Sequence, residues 1–279
     1  MPPRSPAEVR ARLAALHLVP SKRLGQSFLT DPFVADMETA LLEAVPGRPV
    51  IEIGGGLGLL TAALRRRGLG PVTVVERDPR LAAHLRRSFD GEVRVVEADA
   101  LEVEFHGAAI VVGNLPFSVA APILSRLFEA RVGRIVVLLQ KEVGERYTAA
   151  AGGRRYGRPA IQAALYGTAE AFATIPRSSF EPVPRVDGML VRFTGRPGPL
   201  PVPSVARLED EVRRLFSSRR KQLGNLLPAV VGGVGEARRL AEEAGWPDGW
   251  ARKRPEELAP EMFFALSRAR ALRGGPVAP

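Results

Sequence analysis

The 279-residue chain contains no cysteine. That absence excludes disulfides, thiolate zinc sites and iron–sulfur clusters. It also excludes RNA methylation through a cysteine nucleophile and base deamination at a cysteine-held zinc. Histidine is nearly as scarce. His17, His84 and His106 are far apart in sequence, at no spacing suited to a shared metal, so no metal site is expected. Only 3 Tyr and 2 Trp accompany 12 Phe, so an aromatic recruited to a site is expected to be phenylalanine. No apolar run approaches the roughly 18 residues of a membrane span. The basic N-terminal stretch MPPRSPAEVRARLAAL lacks the apolar segment and cleavage pattern of a secretion signal. A cytoplasmic protein without membrane contact is expected.

What the chain has in excess is positive charge. Lys+Arg is 40 against Asp+Glu 30, a formal net charge of +10, and such an excess points to a polyanion. It is unevenly placed. Residues 1–30 carry +4, residues 31–195 only +1, and residues 196–279 carry +5. The middle is nearly neutral and the ends are basic. Between the middle and the C-terminal part lies GRPGPLPVP at 195–203, a linker by its prolines and glycines. Two domains are expected, over 1–195 and 204–279, with 196–203 as the linker.

Before that linker, short apolar runs alternate with helical patterns. The strand candidates are 49–54, 73–78, 93–99, 108–114 and 134–140, with two more at 172–176 and 189–193. Helical stretches at about 31–44, 58–68, 79–88, 119–130 and 158–169 separate them. This order predicts an α/β fold with a doubly wound, largely parallel sheet. The last two runs lack a convincing helix between them and suit a hairpin at the sheet edge. After the linker only helical patterns occur, at about 204–217, 235–244 and 255–272.

In such a sheet, ligands bind at the carboxyl ends of the strands. The first strand runs into EIGGGLG, with glycines at Gly54, Gly56 and Gly58. The third glycine of the dinucleotide fingerprint is missing, which argues against a nicotinamide site. Gly-x-Gly-x-Gly after an acidic strand end instead suits a turn that hugs S-adenosylmethionine, because a side chain there would collide with the ligand. The second strand ends in Glu76, suited to ribose hydroxyls, and the third in Asp99, suited to the adenine amino group.

The fourth strand ends in Asn114-Leu115-Pro116-Phe117. An aryl amine is a poor nucleophile because its lone pair is delocalised into the ring. Two acceptors holding its two hydrogens favour a pyramidal nitrogen with a localised pair. The Asn114 side-chain oxygen and the Leu115 carbonyl can serve as those acceptors. Pro116 stiffens the turn, and Phe117 offers a face on which a flipped base can stack.

These segments resemble the ribosomal RNA adenine dimethyltransferases over nearly everything from residue 20 onward. The resemblance is carried by GQSFL (25–29), EIGGGLGLLT (52–61), VVERD (74–78), EADAL (97–101), GNLPFSVAAPIL (113–124) and QKEVGERY (140–147). Phe180, Pro182, Pro184, Val186 and Asp187, with FSSRRKQLGNLL (216–227), complete the series. It implies a Rossmann-like methyltransferase sheet that uses S-adenosylmethionine, followed by a smaller all-helical RNA-binding domain. It also implies dimethylation of two adjacent adenosines near the 3′ end of 16S ribosomal RNA, in a pre-30S particle and with a role in ribosome biogenesis.

By the same resemblance, cofactor contacts fall on Gln26, Ser27, Leu29, Gly54, Gly56, Gly58, Glu76, Asp99, Ala100 and Asn114. The target adenine falls to Asn114, Leu115, Pro116 and Phe117, with Phe180 as a second stacking ring. Separately, the basic ends place expected RNA contacts on Lys22, Arg23, Arg213, Arg219, Arg220 and Lys221, several of them on one helix face by their spacing. The chain departs from the family pattern at Ser27 (usually Asn), Gly55 (commonly Pro), Phe117 (commonly Tyr) and Gly188 (Ser). None of these removes a group the chemistry needs. A monomer is expected. Alternatives from other classes are a DNA-adenine or protein-glutamine methyltransferase, which use a related Asn-Pro-aromatic motif, and a non-catalytic RNA-binding assembly or transcription factor.

Overall fold

A computed structural model describes residues 2–20, 26–43, 47–105 and 110–273. The strands are β1 (Phe28–Leu29), β2 (Val50–Ile53), β3 (Val72–Glu76), β4 (Arg94–Glu97), β5 (Ile110–Asn114), β6 (Arg134–Gln140), β7 (Gly167–Ile175), β8 (Phe180–Glu181) and β9 (Gly188–Gly195). Helices α1 (Pro6–Ala15), α2 (Pro32–Ala40), α3 (Leu59–Arg66), α4 (Pro79–Phe89), α5 (Ala120–Glu129), α6 (Lys141–Tyr147) and α7 (Arg158–Tyr166) are interspersed with them. Helices α8 (Val205–Phe216), α9 (Leu223–Val231), α10 (Val234–Glu243) and α11 (Pro260–Leu272) follow.

Seven strands form one sheet in the order β4-β3-β2-β5-β6-β9-β7. The pairs from β4 to β6 are parallel, and β9 runs antiparallel to β6. The parallel strands read as continuous apolar runs because helices cover both faces. Val111, Val112 and the run Val136–Leu139 are accordingly buried. Helix starts are locally determined. Asp31 caps α2 by accepting from the Phe33 N–H, and Asp78 caps α4 by accepting from the Arg80 N–H, each with proline at the first helical turn.

Strand order reverses at β2, which β3 flanks on one side and β5 on the other. The crevice beyond the carboxyl ends of these strands is the topological switch point, where α/β sheets bind ligands.

The chain divides into two compact units, Met1–Gly144 with Glu170–Arg196, and Glu145–Ala169 with Pro197–Pro279. The division falls after Arg196 and again within the expected first domain, since Glu145–Ala169 groups with the helices after the linker. Its Tyr156 is buried, donates its hydroxyl to the Leu258 carbonyl at 2.9 Å and meets the Phe216 ring edge-on. Within this second unit α7 packs against α8 and α11. The helix expected over 158–169 ends at Tyr166. The run expected at 172–176 is a longer strand, β7, beside β9 at the sheet edge.

Candidate active site

Two adjoining cavities open at the switch point. One, of about 110 Å³, is lined by residues that include Gln26, Ser27, Leu29, Gly54, Gly56, Asn114, Leu115, Pro116 and Phe117. The other, of about 250 Å³, is lined by residues that include Asp78, Asp99, Ala100 and Ser118. Gln26, Gly54, Glu76 and Pro116 border both.

The glycine turn after β2 makes room for a ligand. Gly56 has φ +53°, a conformation that favours glycine, and a Cβ there would stand a tight 3.2 Å from the Phe28 ring. The Gly54 N–H is pinned to the Val75 carbonyl at 2.8 Å. Glu76 fastens the same turn from the next strand. Its carboxylate accepts from the Gly56 N–H at 3.0 Å and from the Asp78 N–H at 2.9 Å. Burial pushes the Glu76 carboxyl above its ordinary range, opposed by those N–H donors. Asp99 accepts from the Leu101 N–H at 2.9 Å and pairs with Arg77 at 3.2 Å.

On the other side, β5 delivers Asn114. Its side-chain Nδ2 donates to the Ser27 carbonyl at 3.2 Å. That bond fixes the amide plane and leaves Oδ1 as the acceptor end. The Ser27 hydroxyl in turn donates to the Pro182 carbonyl at 2.6 Å. The serine departure is therefore structural: it ties the loop before the sheet to the segment after β8. The Leu115 N–H is held by Leu138 O at 3.3 Å, and Pro116 O receives the Val119 N–H at 3.0 Å. Phe117 lies half-buried at the cavity edge.

Not every residue expected at the site is brought to it. Phe180 is 0% exposed and sits in the apolar core, on β8 opposite Leu29. A ring packed on both faces has none to offer a base, so its role as a stacking partner is withdrawn. Gly58 lines neither cavity. It precedes α3 at φ +86°, and a Cβ there would lie 2.8 Å from the Phe89 ring, so packing is what requires the glycine.

The expected basic helix face is also revised. Helix α8 stops at Phe216 and α9 starts at Leu223, which leaves Arg219–Lys221 in the turn between them. Within this unit Arg219 is paired with Glu256 at 2.6 Å and donates to the Arg154 carbonyl at 3.2 Å. Arg213 pairs with Asp210 one turn earlier. Arg220 and Lys221 are exposed and make no ion pair among the described residues. Lys22 and Arg23 lie outside the described residues.

Sequence reading missed two cavity-lining acids, Glu38 and Glu52. The available signal was a carboxylate on the apolar face of α2, one turn beyond the buried Val34 and Ala35. Burial pushes Glu38 up to about 8, with Glu52 adding to the shift. Burial pushes Glu52 up to about 7 against a hydrogen bond from the Thr61 hydroxyl at 2.7 Å. A carboxyl raised in this way stabilises the fold fully below its unfolded value near 4.5 and loses that contribution as pH rises through the folded value. Ligand-free protein is therefore expected to melt at progressively lower temperature from about pH 5 to about pH 8, and Glu38→Gln is expected to flatten the decline. Calorimetry across that range checks it, and parallel curves for the two proteins would refute it.

A sheet of this order, a glycine turn and acidic strand ends define an S-adenosylmethionine-dependent methyltransferase fold. Within that class, the sequence matches the ribosomal RNA adenine dimethylase family over residues 20–241, and the chain belongs to that family. It is 38% identical over 255 residues to the ribosomal RNA small subunit methyltransferase A of Gloeobacter violaceus, covering 88% of this chain and 92% of that one. It is 39% identical over 279 residues to the protein of the same name from Verminephrobacter eiseniae, covering 94% and 93%. Among solved structures, a dimethyladenosine transferase from Plasmodium falciparum superimposes with TM-score 0.75 at 22% identity, over 88% of this chain and 98% of that one. The 23S rRNA methyltransferase ErmE superimposes with TM-score 0.68 at 26% identity, over 87% and 98%.

Proposed function

We propose that this protein dimethylates the exocyclic amines of two adjacent adenosines near the 3′ end of small-subunit ribosomal RNA, using S-adenosylmethionine. The observation that carries the reading is Asn114, held by Ser27 with its amide oxygen left as an acceptor at the rim shared by a glycine turn and a half-buried phenylalanine. The relatives named for small-subunit rRNA are 38–39% identical, against 26% for the large-subunit enzyme, which favours the small subunit as substrate.

The residues fit the cofactor. Gly54 and Gly56 would receive its methionyl end, Glu76 its ribose and Asp99 its adenine. Gln26, Ser27, Leu29 and Ala100 would complete the walls. When bound, S-adenosylmethionine supplies a methyl group already activated by the sulfonium charge. The chain's own work is to bind and align. Asn114 Oδ1 and the Leu115 carbonyl would accept the two amine hydrogens of the target adenine, and Phe117 would stack on its ring. Alignment supplies most of the acceleration. No strong base is required at the outset, because the amine proton becomes acidic once the nitrogen is alkylated.

The reading places the basic ends on RNA phosphates, with Arg220 and Lys221 of the helical unit as contacts and Lys22 and Arg23, just before the cofactor loop in sequence, as further ones. It also takes the protein as a metal-independent cytoplasmic monomer acting on a pre-30S particle. No helix among the described residues is long and apolar enough to cross a membrane. Joint replacement of Arg220 and Lys221 by alanine is expected to weaken rRNA binding and to reduce its salt slope by about 1 to 2. Arg219→Ala is expected to act mainly on stability, through the lost Glu256 pair. Filter binding over a salt series separates the two outcomes, and an unchanged slope in the double variant would remove these residues from the interface.

The reaction itself is tested by incubating the protein with methyl-labelled cofactor and undermethylated small subunits, large subunits and DNA in parallel. Label confined to small-subunit RNA is expected. Label on large subunits, on DNA or on the accompanying proteins, or RNA binding without transfer, would overturn the reading.

A further inference from the structure

Asn114 and Phe117 serve one base at a time, yet two adjacent adenosines are the target, so the neighbour of the base in the cavity needs a place of its own. The loop between β8 and β9 has the build of such a place. It runs Pro182-Val183-Pro184-Arg185-Val186-Asp187 and is fastened at both ends. At its start the Pro182 carbonyl accepts from the Ser27 hydroxyl at 2.6 Å. At its end the Asp187 carboxylate accepts from the Arg177 N–H at 3.0 Å, and the Asp187 carbonyl accepts from the Lys141 N–H at 2.9 Å. Ser27 also holds Asn114, so two hydrogen bonds in series connect the loop to the amide that would receive the target amine. The two prolines fix φ and stiffen the chain between the fastenings.

The middle of the loop is turned to solvent. Val183 is 58% exposed and Val186 is 41% exposed. Arg185, between them, is exposed and makes no ion pair among the described residues. The acids nearest in the chain are engaged elsewhere: Glu181 pairs with Arg10 at 2.9 Å, and Asp187 holds the Arg177 N–H. A single exposed apolar side chain is ordinary. Two on one fastened loop, on either side of an unpaired guanidinium, present apolar surface next to positive charge. That is the complement of a nucleotide, whose base offers an apolar face and whose phosphate offers an anion.

We propose that the loop 182–187 seats the nucleotide next to the target adenosine, with Val183 and Val186 under its base and Arg185 on its phosphate. The proposal rests on adenosines of ribosomal RNA being the substrate. A neighbour held on a loop in register with Asn114 presents the target amine at the cavity. Adjacency of the two bases thereby becomes part of what the protein recognises.

The test crosses variants of the loop with altered RNA. Undermethylated small subunits are prepared in which one or the other of the two adjacent adenosines is replaced by uridine, and kcat/KM for transfer to the remaining adenosine is measured. The joint variant Val183→Ser with Val186→Ser removes the apolar surface at exposed positions, where substitution costs the fold little. On unaltered subunits it is expected to lose about fivefold in kcat/KM, the scale of partly burying valine side chains. Uridine at the seated position is expected to cost wild-type protein about fivefold but the serine variant less than about twofold, because loop and base act through one contact. Arg185→Ala is expected to reduce the salt slope of subunit binding by about 1. Affinity for S-adenosylhomocysteine is expected to stay within about twofold of wild type in every variant, as for surface substitutions away from a ligand. Effects of loop and neighbour that simply multiply at both replaced positions would overturn the proposal, since the valines would then touch something other than that base. So would full activity of the serine variant, an unchanged salt slope in Arg185→Ala, or a loss of S-adenosylhomocysteine affinity that accounts for the loss of transfer. Absence of transfer by wild-type protein to unaltered subunits would instead overturn the reading of the substrate.

Discussion

Alanine at Asn114 abolishes methyl transfer: kcat/KM is expected to fall by about a thousandfold or more, the scale seen when a preorganised polar group is removed from a transition state. The residue is placed by β5, which pairs with β6 to its last position, and by the bond from its own amide nitrogen to Ser27. Loss of that bond costs the fold about 1 kcal/mol, so the variant should melt cooperatively and still bind cofactor. Asn114→Asp separates the two ends of the amide. It keeps an acceptor but sets a second oxygen against the Ser27 carbonyl, which accepts only. It is expected to retain more activity than alanine and far less than asparagine. Single-turnover kinetics on undermethylated subunits reads the effect. Substantial transfer by the alanine variant would mean that the amine is polarised by other groups.

Glu76→Ala is expected to weaken S-adenosylhomocysteine binding by about a hundredfold. A carboxylate accepting from two ribose hydroxyls contributes about 3 kcal/mol through hydrogen bonds to a charged group. The same substitution leaves the N–H groups of Gly56 and Asp78 without their partner. The glycine turn thus loses both its ligand contact and its fastening, and the loss should exceed that of an isolated ribose contact. Glu76→Gln should fall between, since its single carbonyl oxygen cannot replace two carboxylate oxygens, each with its own N–H. Titration calorimetry at fixed pH measures both. Cofactor affinity unchanged in Glu76→Ala would displace the ribose from this position.

The strands at the site were readable because they are buried on both faces, and burial on both faces imposes long apolar runs. Strand β6 matches its sequence signal residue for residue, and Glu76 is the last residue of its strand. The motif residues on strand ends follow directly, since a strand end at the switch point leaves little choice of direction. Other features depended on contacts remote in sequence. Phe180 looked like a site aromatic because it begins a Pro-rich motif, but pairing with β1 turns it into the core. Helix α9 went unread because Gly224 and Pro228 weaken its pattern, though it packs against α8 and α10. Helix α7 reads like any sheet-covering helix. Its place in the helical unit comes from contacts remote in sequence: its own packing against α8 and α11, and the bond from Tyr156, just before it, to Leu258. The basic run at 219–221 gave no sign that Glu256 would claim its first member.

Glu38 is the instructive miss. Local sequence presents two acids, Asp36 and Glu38, in an apolar helix, and such groups ordinarily turn outward to water. Packing of α2 against α3 turns Glu38 inward instead, to the wall where β2 places Glu52. Its significance comes from having no partner, and that is a property of the folded molecule alone.

The central claim is methylation of adenine amines in small-subunit RNA, twice per base. Its most direct test is mass spectrometry of nucleosides released from undermethylated small subunits after incubation with the protein and S-adenosylmethionine. The predicted product is N6,N6-dimethyladenosine from two adjacent positions near the 3′ end, absent when Asn114→Ala replaces the wild type. A product that stops at the monomethyl stage, appears in large-subunit RNA, or persists undiminished with Asn114→Ala would contradict the account.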